Sequence, residues 1–258
     1  MDLGLKNKVA VVTGGSRGIG KGIALGLAKE GCRLAICARN ESELSTSVDE
    51  IKDNGVEVLG LTGDITKEEN IDKFSKNILE KFGQIDILVN NVGGNKRNLF
   101  ENTTLQDWRD IMDLNLISHV NVTQAFLPTM KNQGSGSIIF ISSIFGRESG
   151  GPTLSIYNSS KAAMISLAKV MASELASGGI RVNSVAPGSI RFPGGSWDKR
   201  CIADPEGMEE FIKKELPIGR FGTVEEIANL VCFLVSDRAS LVTGACINAD
   251  GGQSRSLI

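Results

Sequence analysis

The sequence predicts an α/β protein built on a doubly wound parallel sheet. Short β-branched runs alternate with stretches of helical period along the whole chain. Runs such as VAVV, DILVN and SIIFIS are apolar on both faces, as strands become when helices cover both sides of a sheet. The stretches between them are long enough for βα crossovers, which join parallel neighbours. No linker rich in Ser, Gly and Pro and no internal repeat breaks the alternation, so residues 1–258 read as a single domain.

In chain order, strands are expected at 9–13, 34–38, 56–62, 85–90, 137–142, 180–186 and 245–249. Helices are expected near 18–29, 41–53, 67–81, 105–131, 155–177 and 223–235. The longest irregular stretch is 189–205, containing RFPGGSWDKR. Such a loop in a compact domain is commonly a lid or a binding element. It follows a strand's carboxyl end, which puts it over the crevice where open α/β sheets bind ligands, so a substrate lid is expected near 189–217.

Composition narrows the function classes. Hydrophobic residues make up 41% and charged residues 22%, values of an ordinary globular chain. Net charge is −2, the pI is about 5.6 and no lysine or arginine run stands out, which argues against nucleic acid as the main partner. Five cysteines show no paired metal spacing, and His119 is the only histidine. A zinc site or a Ser–His–Asp hydrolase would need more, so no metal is expected. The odd cysteine count suits a reducing compartment. His119 is expected to be a packed or interface residue on a helix. MDLGLKNKVAVVTGG leaves no room for a signal peptide before the first strand-like run, and the apolar stretch 227–235 is too short to span a bilayer. A soluble, cytoplasmic protein without a membrane partner is therefore expected.

The first strand runs into Thr13-Gly14-Gly15-Ser16-Arg17-Gly18-Ile19-Gly20, where a helix begins. Glycines let the backbone approach a pyrophosphate, and a helix N-terminus adds free N–H groups and partial positive charge. The spacing is T-G-x-x-x-G-x-G rather than G-x-G-x-x-G. Further on, the only tyrosine, Tyr157, precedes Lys161 by four positions, which places both on one helix face. A fixed ammonium beside a phenol favours the phenolate, and such a tyrosine can exchange a proton with a carbonyl or alcohol oxygen.

Taken together, TGGSRGIG (13–20), GDIT (63–66), NNVGG (90–94), Asn115, ISSIFG (141–146), YNSSK (157–161), PGSI (187–190) and TGACINADGG (243–252) resemble the short-chain dehydrogenase/reductase family along nearly the whole chain. The resemblance implies one Rossmann-type domain with seven parallel strands and a nicotinamide cofactor. It also implies a catalytic set of Asn115, Ser143, Tyr157 and Lys161. Tyr157 would be the acid/base, and Ser143 would hold the substrate oxygen. Lys161 would lower the Tyr157 pKa and bind the nicotinamide ribose, and Asn115 would hold a proton-relay water. Ser143 rather than Ser142 fits the S-x-x-G register. Cofactor contacts are implied for Gly14, Ser16, Arg17, Gly18, Ile19 and Gly20 in the turn. Asp64 and Ile65 would contact the adenine, and Asn91, Val92 and Gly93 the adenosine ribose side. Asn90 would serve the backbone of its strand. Pro187, Gly188 and Ile190 would lie along the nicotinamide, with the Ile190 backbone anchoring the carboxamide because Phe192 stands where the family often has a threonine.

NAD-preferring sites usually carry a carboxylate at the end of the second strand. This chain has Ala38 and then Arg39 there, with Arg17 as a second cation, so NADP(H) is expected; Glu41 is the nearest acid. IGRFGTVEEIANLVCFLVSD (218–237) is most similar to 3-oxoacyl-[acyl-carrier-protein] reductases. An acyl thioester or a small-molecule ketone, sugar or cyclic alcohol is the expected substrate. Gly134 and Gly178 stand where those reductases commonly carry arginine, while Lys96, Arg97 and Lys131 remain as nearby cations. Trp197, Lys199 and Arg200 in the lid could receive an anionic substrate. A cofactor-binding sensor or assembly subunit is the alternative from another class. The resemblance further implies a homotetramer pairing 105–131 and 155–177, where Ala162, Ala168 and Ala172 would allow close approach, although they would also suit packing on the sheet.

Overall fold

The computed structural model describes residues 2–257. Seven parallel strands form one sheet in the order β3-β2-β1-β4-β5-β6-β7. They are β1 (Val9–Thr13), β2 (Arg33–Ala38), β3 (Val58–Thr62), β4 (Ile87–Asn90), β5 (Gly136–Ile141), β6 (Ile180–Pro187) and β7 (Cys246–Ala249). The helices are α1 (Gly18–Lys29), α2 (Glu41–Lys52), α3 (Glu68–Phe82), α4 (Leu105–Met112), α5 (Ser118–Gln133), α6 (Ser155–Leu175), α7 (Ser196–Ala203), α8 (Pro205–Glu215) and α9 (Val224–Val235). This is the Rossmann-type α/β fold that the alternation implied, and every expected strand is present within two residues of its expected ends.

Alternate strand residues feed two apolar layers. Ala10, Val12, Leu34, Ile36, Ile87 and Val89 pack beneath α1, α2 and α9. Val9, Val11, Ala35, Leu88, Ile138 and Phe140 pack beneath α3, α5 and α6. The chain leaves β1 in one direction to build β2 and β3, then returns to build β4 beyond β1. Reversal of the winding opens a crevice between the carboxyl ends of β1 and β4, the place where such sheets bind ligands.

Two expectations change. The stretch 105–131 is not one regular helix: α4 and α5 are joined by a π-helical turn over Asp113–Ile117, which contains the buried Asn115. π-turns often mark functional sites because they break the regular backbone ladder. The stretch 189–205 is not mainly irregular either. α7 forms within it, and α8 starts at Pro205 with Asp204 accepting a hydrogen bond from the Gly207 amide at 3.0 Å. An Asp cap followed by Pro is a standard helix start, and DPE at 204–206 carried that signal. Trp197 stacks on Phe211 at 4.8 Å between centroids and packs against Phe221 at 5.3 Å, which binds the two short helices to the segment before α9.

Candidate active site

The crevice is a cleft of about 680 Å³. Of the expected cofactor residues, Gly14, Ser16, Arg17, Gly18, Ile19, Gly20, Arg39, Asp64, Ile65, Asn91, Val92 and Gly93 all line it. Its floor is the turn after β1. Gly14 (φ +68°) and Gly18 (φ +58°) are in the left-handed region that favours glycine. A Cβ on Gly20 would strike the Gly14 carbonyl and the Asn91 amide, so this glycine lets α1 begin close against both walls. No side chain caps the start of α1, which leaves its first amides free for an anion. The bare turn, the uncapped helix start and the cations Arg17 and Arg39 together fit a dinucleotide phosphate chain.

The second wall is fixed by hydrogen bonds to the first. Thr13 Oγ1 accepts from the Asn91 amide at 2.9 Å, and Asn91 Nδ2 donates to the Thr13 carbonyl at 2.9 Å. Asn90 does not serve its own strand's backbone as expected. Its Nδ2 donates to Thr123 Oγ1 on α5 at 2.9 Å, so it ties β4 to the neighbouring helix. Beside Arg39 the glutamate that lines the cleft is Glu43, not Glu41, in the first turn of α2 that Asn40 caps. Cys37, Gly63 and Leu114 also line it. They escape sequence reading because they contribute shape rather than chemistry.

The cleft runs toward the four expected catalytic residues. A Cβ built on Gly93 would lie 3.3 Å from Lys161 Nζ and 3.5 Å from Asn115 Oδ1. Asn115 clamps the same loop, accepting from the Gly94 amide at 2.8 Å and donating to the Gly94 carbonyl at 3.0 Å. Its Nδ2 also reaches Ser160 Oγ on α6 at 2.9 Å. The side chain of Asn115 is therefore committed to scaffolding.

The Ser143 hydroxyl faces the Tyr157 phenol. Burial raises the phenol above its ordinary value, and the Ser143 hydroxyl opposes that rise. Lys161 Nζ donates to the Ile141 carbonyl at 2.9 Å and lies 5.9 Å from the Tyr157 ring centroid. Burial pushes its own pKa down to about 8. The expectation that Lys161 depresses the phenol is thus not met in this geometry, because the ammonium faces the backbone rather than the hydroxyl. Gly146 explains the S-x-x-G register: a Cβ there would lie 2.8 Å from the Lys161 carbonyl, so only glycine lets the Ser143 loop rest on α6.

Tyr157, Lys161, Pro187, Gly188 and Ile190 lie outside the cleft lining. A Cβ on Gly188 would meet Asp250 at 2.7 Å, and the Ser189 amide donates to Gln253 Oε1 at 2.8 Å, so the C-terminal segment sets this loop. Ile190 forms a bridge with Gly222 whose bonds use the Arg191 and Gly222 amides. The Ile190 amide takes no partner in that bridge and remains available for a ligand. Phe192 lines the cleft itself, its ring edge 2.7 Å from where a Gly18 Cβ would be. His119 is buried, with Nε2 2.7 Å from the Val92 carbonyl, and burial pushes its pKa down to about 3. It is a neutral donor that holds the Val92 peptide. The described residues contain no group of three or more metal-ligating side chains, and no helix among them is long and apolar enough to cross a membrane.

A family model described as enoyl-(acyl carrier protein) reductase matches residues 14–254. A 3-oxoacyl-[acyl-carrier-protein] reductase of Staphylococcus epidermidis is 40% identical over 247 residues, covering 95% of this chain and 98% of that one. This chain belongs to the short-chain dehydrogenase/reductase family. A Thermotoga maritima reductase of the same name is 37% identical over 248 residues, covering 96% of this chain and 98% of its own. Among solved structures, L-sorbose reductase from Gluconobacter frateurii, complexed with NADPH and L-sorbose, superposes with a TM-score of 0.94 at 34% identity, with both chains fully covered. A 7α-hydroxysteroid dehydrogenase complexed with NADH and a 7-oxo bile acid gives 0.91 at 33% identity, covering 100% of this chain and 98% of that one. This short-chain dehydrogenase/reductase is accordingly an oxidoreductase, and its structural neighbours include proteins bound to either nicotinamide cofactor.

Proposed function

We propose that this protein interconverts a ketone and a secondary alcohol with NADP(H), and that a 3-oxoacyl thioester is its substrate. The observation that carries the reading is the hydroxyl pair Ser143–Tyr157, placed with Lys161 where the nucleotide cleft ends. Gly14, Arg17, Gly18 and Arg39 would hold the cofactor in the cleft, and its reduced nicotinamide would supply the hydride for the carbonyl carbon. Ser143 donates a hydrogen bond to the substrate oxygen and stabilises its growing negative charge. Tyr157 gives its proton to that oxygen, and in alcohol oxidation it takes the proton back. Lys161 is buried and within reach of the Gly93 loop, where it can turn from the Ile141 carbonyl to the cofactor ribose and the phenol. Asn115 lies in the π-turn at Asp113–Ile117 with its side chain engaged by Gly94 and Ser160, so a relay water there would be held by its backbone.

NADP(H) is supported by Arg17 and Arg39 in the cleft lining, which no ion pair among the described residues neutralises, and by Ala38 in place of a carboxylate. The thioester substrate is supported by the printed activity of the Staphylococcus and Thermotoga relatives. A second reading, a small-ketone or sugar reductase, is favoured by the NADPH- and sorbose-bound neighbour and by glycine at 134 and 178. Steady-state reduction of acetoacetyl thioester beside L-sorbose and small ketones separates the two. We place the protein in the cytoplasm as a homotetramer. Leu105, Ile117 and Val170 are exposed on the helices that would pair. Ala168 and Ala172 pack on the chain's own sheet, one of the two roles expected for them, and Ala162 is exposed. Light scattering at micromolar concentration tests the assembly, and a monomer would refute it.

A further inference from the structure

Ser143 can act as an oxyanion donor only if its hydroxyl proton points toward the chemistry. A serine hydroxyl carries one donor and two acceptor lone pairs, and its hydrogen rotates to suit its surroundings. Here the Phe145 amide donates to Ser143 Oγ at 3.2 Å. That bond uses an acceptor position on the oxygen and leaves the proton for the side that faces Tyr157. The Gly146 amide closes the same turn on the Ser143 carbonyl, and the Arg147 amide closes it on the Ile144 carbonyl, both at 2.9 Å. The aim of the Ser143 hydroxyl is therefore set by the short turn that follows it.

Three fastenings hold this turn. Before it, Ser142 Oγ donates to the Lys161 carbonyl at 3.0 Å. After it, Asn158 Nδ2, one residue beyond Tyr157, donates to the Glu148 carbonyl at 2.9 Å. Both of these run to α6, and bonds to a single helix leave a turn able to rock about that helix. The third runs the other way. Arg147 Nη1 donates to the Cys246 carbonyl at 3.0 Å and to Asn248 Oδ1 at 2.9 Å, both on β7. β7 is an edge of the sheet, so carbonyls on its outer side have no strand to bond, and the guanidinium takes that place. Arg147 is half-buried, and bonds from a charged donor are stronger than neutral ones.

Building on the carbonyl-reductase reading, we propose that Arg147 is a positioning residue for the reaction: by tying the Ser143 turn to β7, it keeps the Ser143 hydroxyl aimed as a donor at the substrate oxygen that Tyr157 protonates. A preorganised donor needs no reorganisation as charge develops, so a loss of aim costs rate rather than cofactor binding. Both Arg147 bonds to β7 leave from one nitrogen, and a lysine ammonium, with three donors on one nitrogen, can make the same pair.

The test uses the full chain as Arg147→Ala, Arg147→Lys, Ser143→Ala and the double variant of Ser143→Ala with Arg147→Ala. With acetoacetyl thioester and NADPH, Arg147→Ala should lower kcat about tenfold and leave the KM for NADPH within about twofold of the wild type. In the Ser143→Ala background the same replacement should cost less than about twofold, because the group it aims is already gone. Arg147→Lys should keep most of the rate. An equal loss of kcat in both backgrounds overturns the proposal, since Arg147 would then support the fold and not Ser143. A second readout needs no turnover. Tyr157 is the only tyrosine, so tyrosine carrying an NMR-visible isotope at Cζ gives a single resonance from the phenol that Ser143 faces. Arg147→Ala should move that resonance in the direction that Ser143→Ala moves it, the double variant should move it no further than Ser143→Ala, and Arg147→Lys should leave it in place. A resonance indifferent to Arg147→Ala overturns the proposal. If the wild type reduces no carbonyl, the reductase reading fails, while the resonance still decides whether Arg147 sets the placement of Ser143 against Tyr157.

Discussion

Ser142 Oγ donates a 3.0 Å hydrogen bond to the backbone carbonyl of Lys161, whereas Ser143, one residue on, turns its hydroxyl to Tyr157. Adjacent serines on an extended segment point to opposite sides, so one holds the helix that carries Lys161 and the other faces the chemistry. Their replacements should separate accordingly. Ser143→Ala should lower kcat by about 10²-fold or more with little change in melting temperature, the cost of one oxyanion donor. Ser142→Ala should cost about 1–3 kcal/mol of stability by removing a buried hydrogen bond. Equal effects of both on kcat would contradict this assignment.

On the proposed NADP(H) reading, Arg39 decides between the two cofactors. Arg39→Ala should raise the KM for NADPH about 10- to 100-fold, as expected for a charge-assisted contact to phosphate, and leave that for NADH nearly unchanged. Glu43 lines the same end of the cleft, so Glu43→Gln should favour NADPH further. Parallel KM values for both cofactors check the pair of variants, and an equal response of NADH to Arg39→Ala would show that the guanidinium is not a phosphate ligand.

The glycine-rich turn gives a steric prediction. In Gly20→Ala the new methyl meets the Gly14 carbonyl carbon at 2.9 Å, with the Asn91 amide closer still. Relief must come from moving backbone, so destabilisation of about 1–3 kcal/mol is expected together with loss of NADPH binding. Thermal melting and NADPH fluorescence titration measure the two effects.

His119 makes stability depend on acid. Its folded pKa of about 3 is far below the ordinary histidine value of 6.5, so between those pH values the unfolded chain binds the extra proton. The stability it confers is complete above pH 6.5 and is lost as pH falls toward 3. The melting temperature of His119→Phe should decline less over that window than that of the wild type. Parallel declines would show that carboxylates alone set the acid limit.

Much of this architecture was legible because the strands are apolar on both faces and the glycine turn follows the first of them directly. Twelve of the seventeen cofactor residues expected from the sequence line the cleft, whereas Tyr157, Lys161, Pro187, Gly188 and Ile190 do not. Three features were not legible. The π-turn around Asn115 leaves the helical period of 105–131 nearly intact, so periodicity cannot register it. Of the α7–α8 pair only the Asp-Pro start of α8 is written locally; its seating depends on the Trp197, Phe211 and Phe221 stack, which joins residues distant in sequence. The direction of the Lys161 ammonium depends on a carbonyl at Ile141, twenty positions away, which i,i+4 spacing does not report.

The most direct measurement is NADPH oxidation with acetoacetyl thioester by the wild type and by Tyr157→Phe, with NADPH binding followed in both. The account predicts turnover by the wild type, a fall of about 10²–10⁴-fold in Tyr157→Phe and equal NADPH affinity in the two proteins. Turnover that survives in Tyr157→Phe would contradict the account, because the proton would then come from another group.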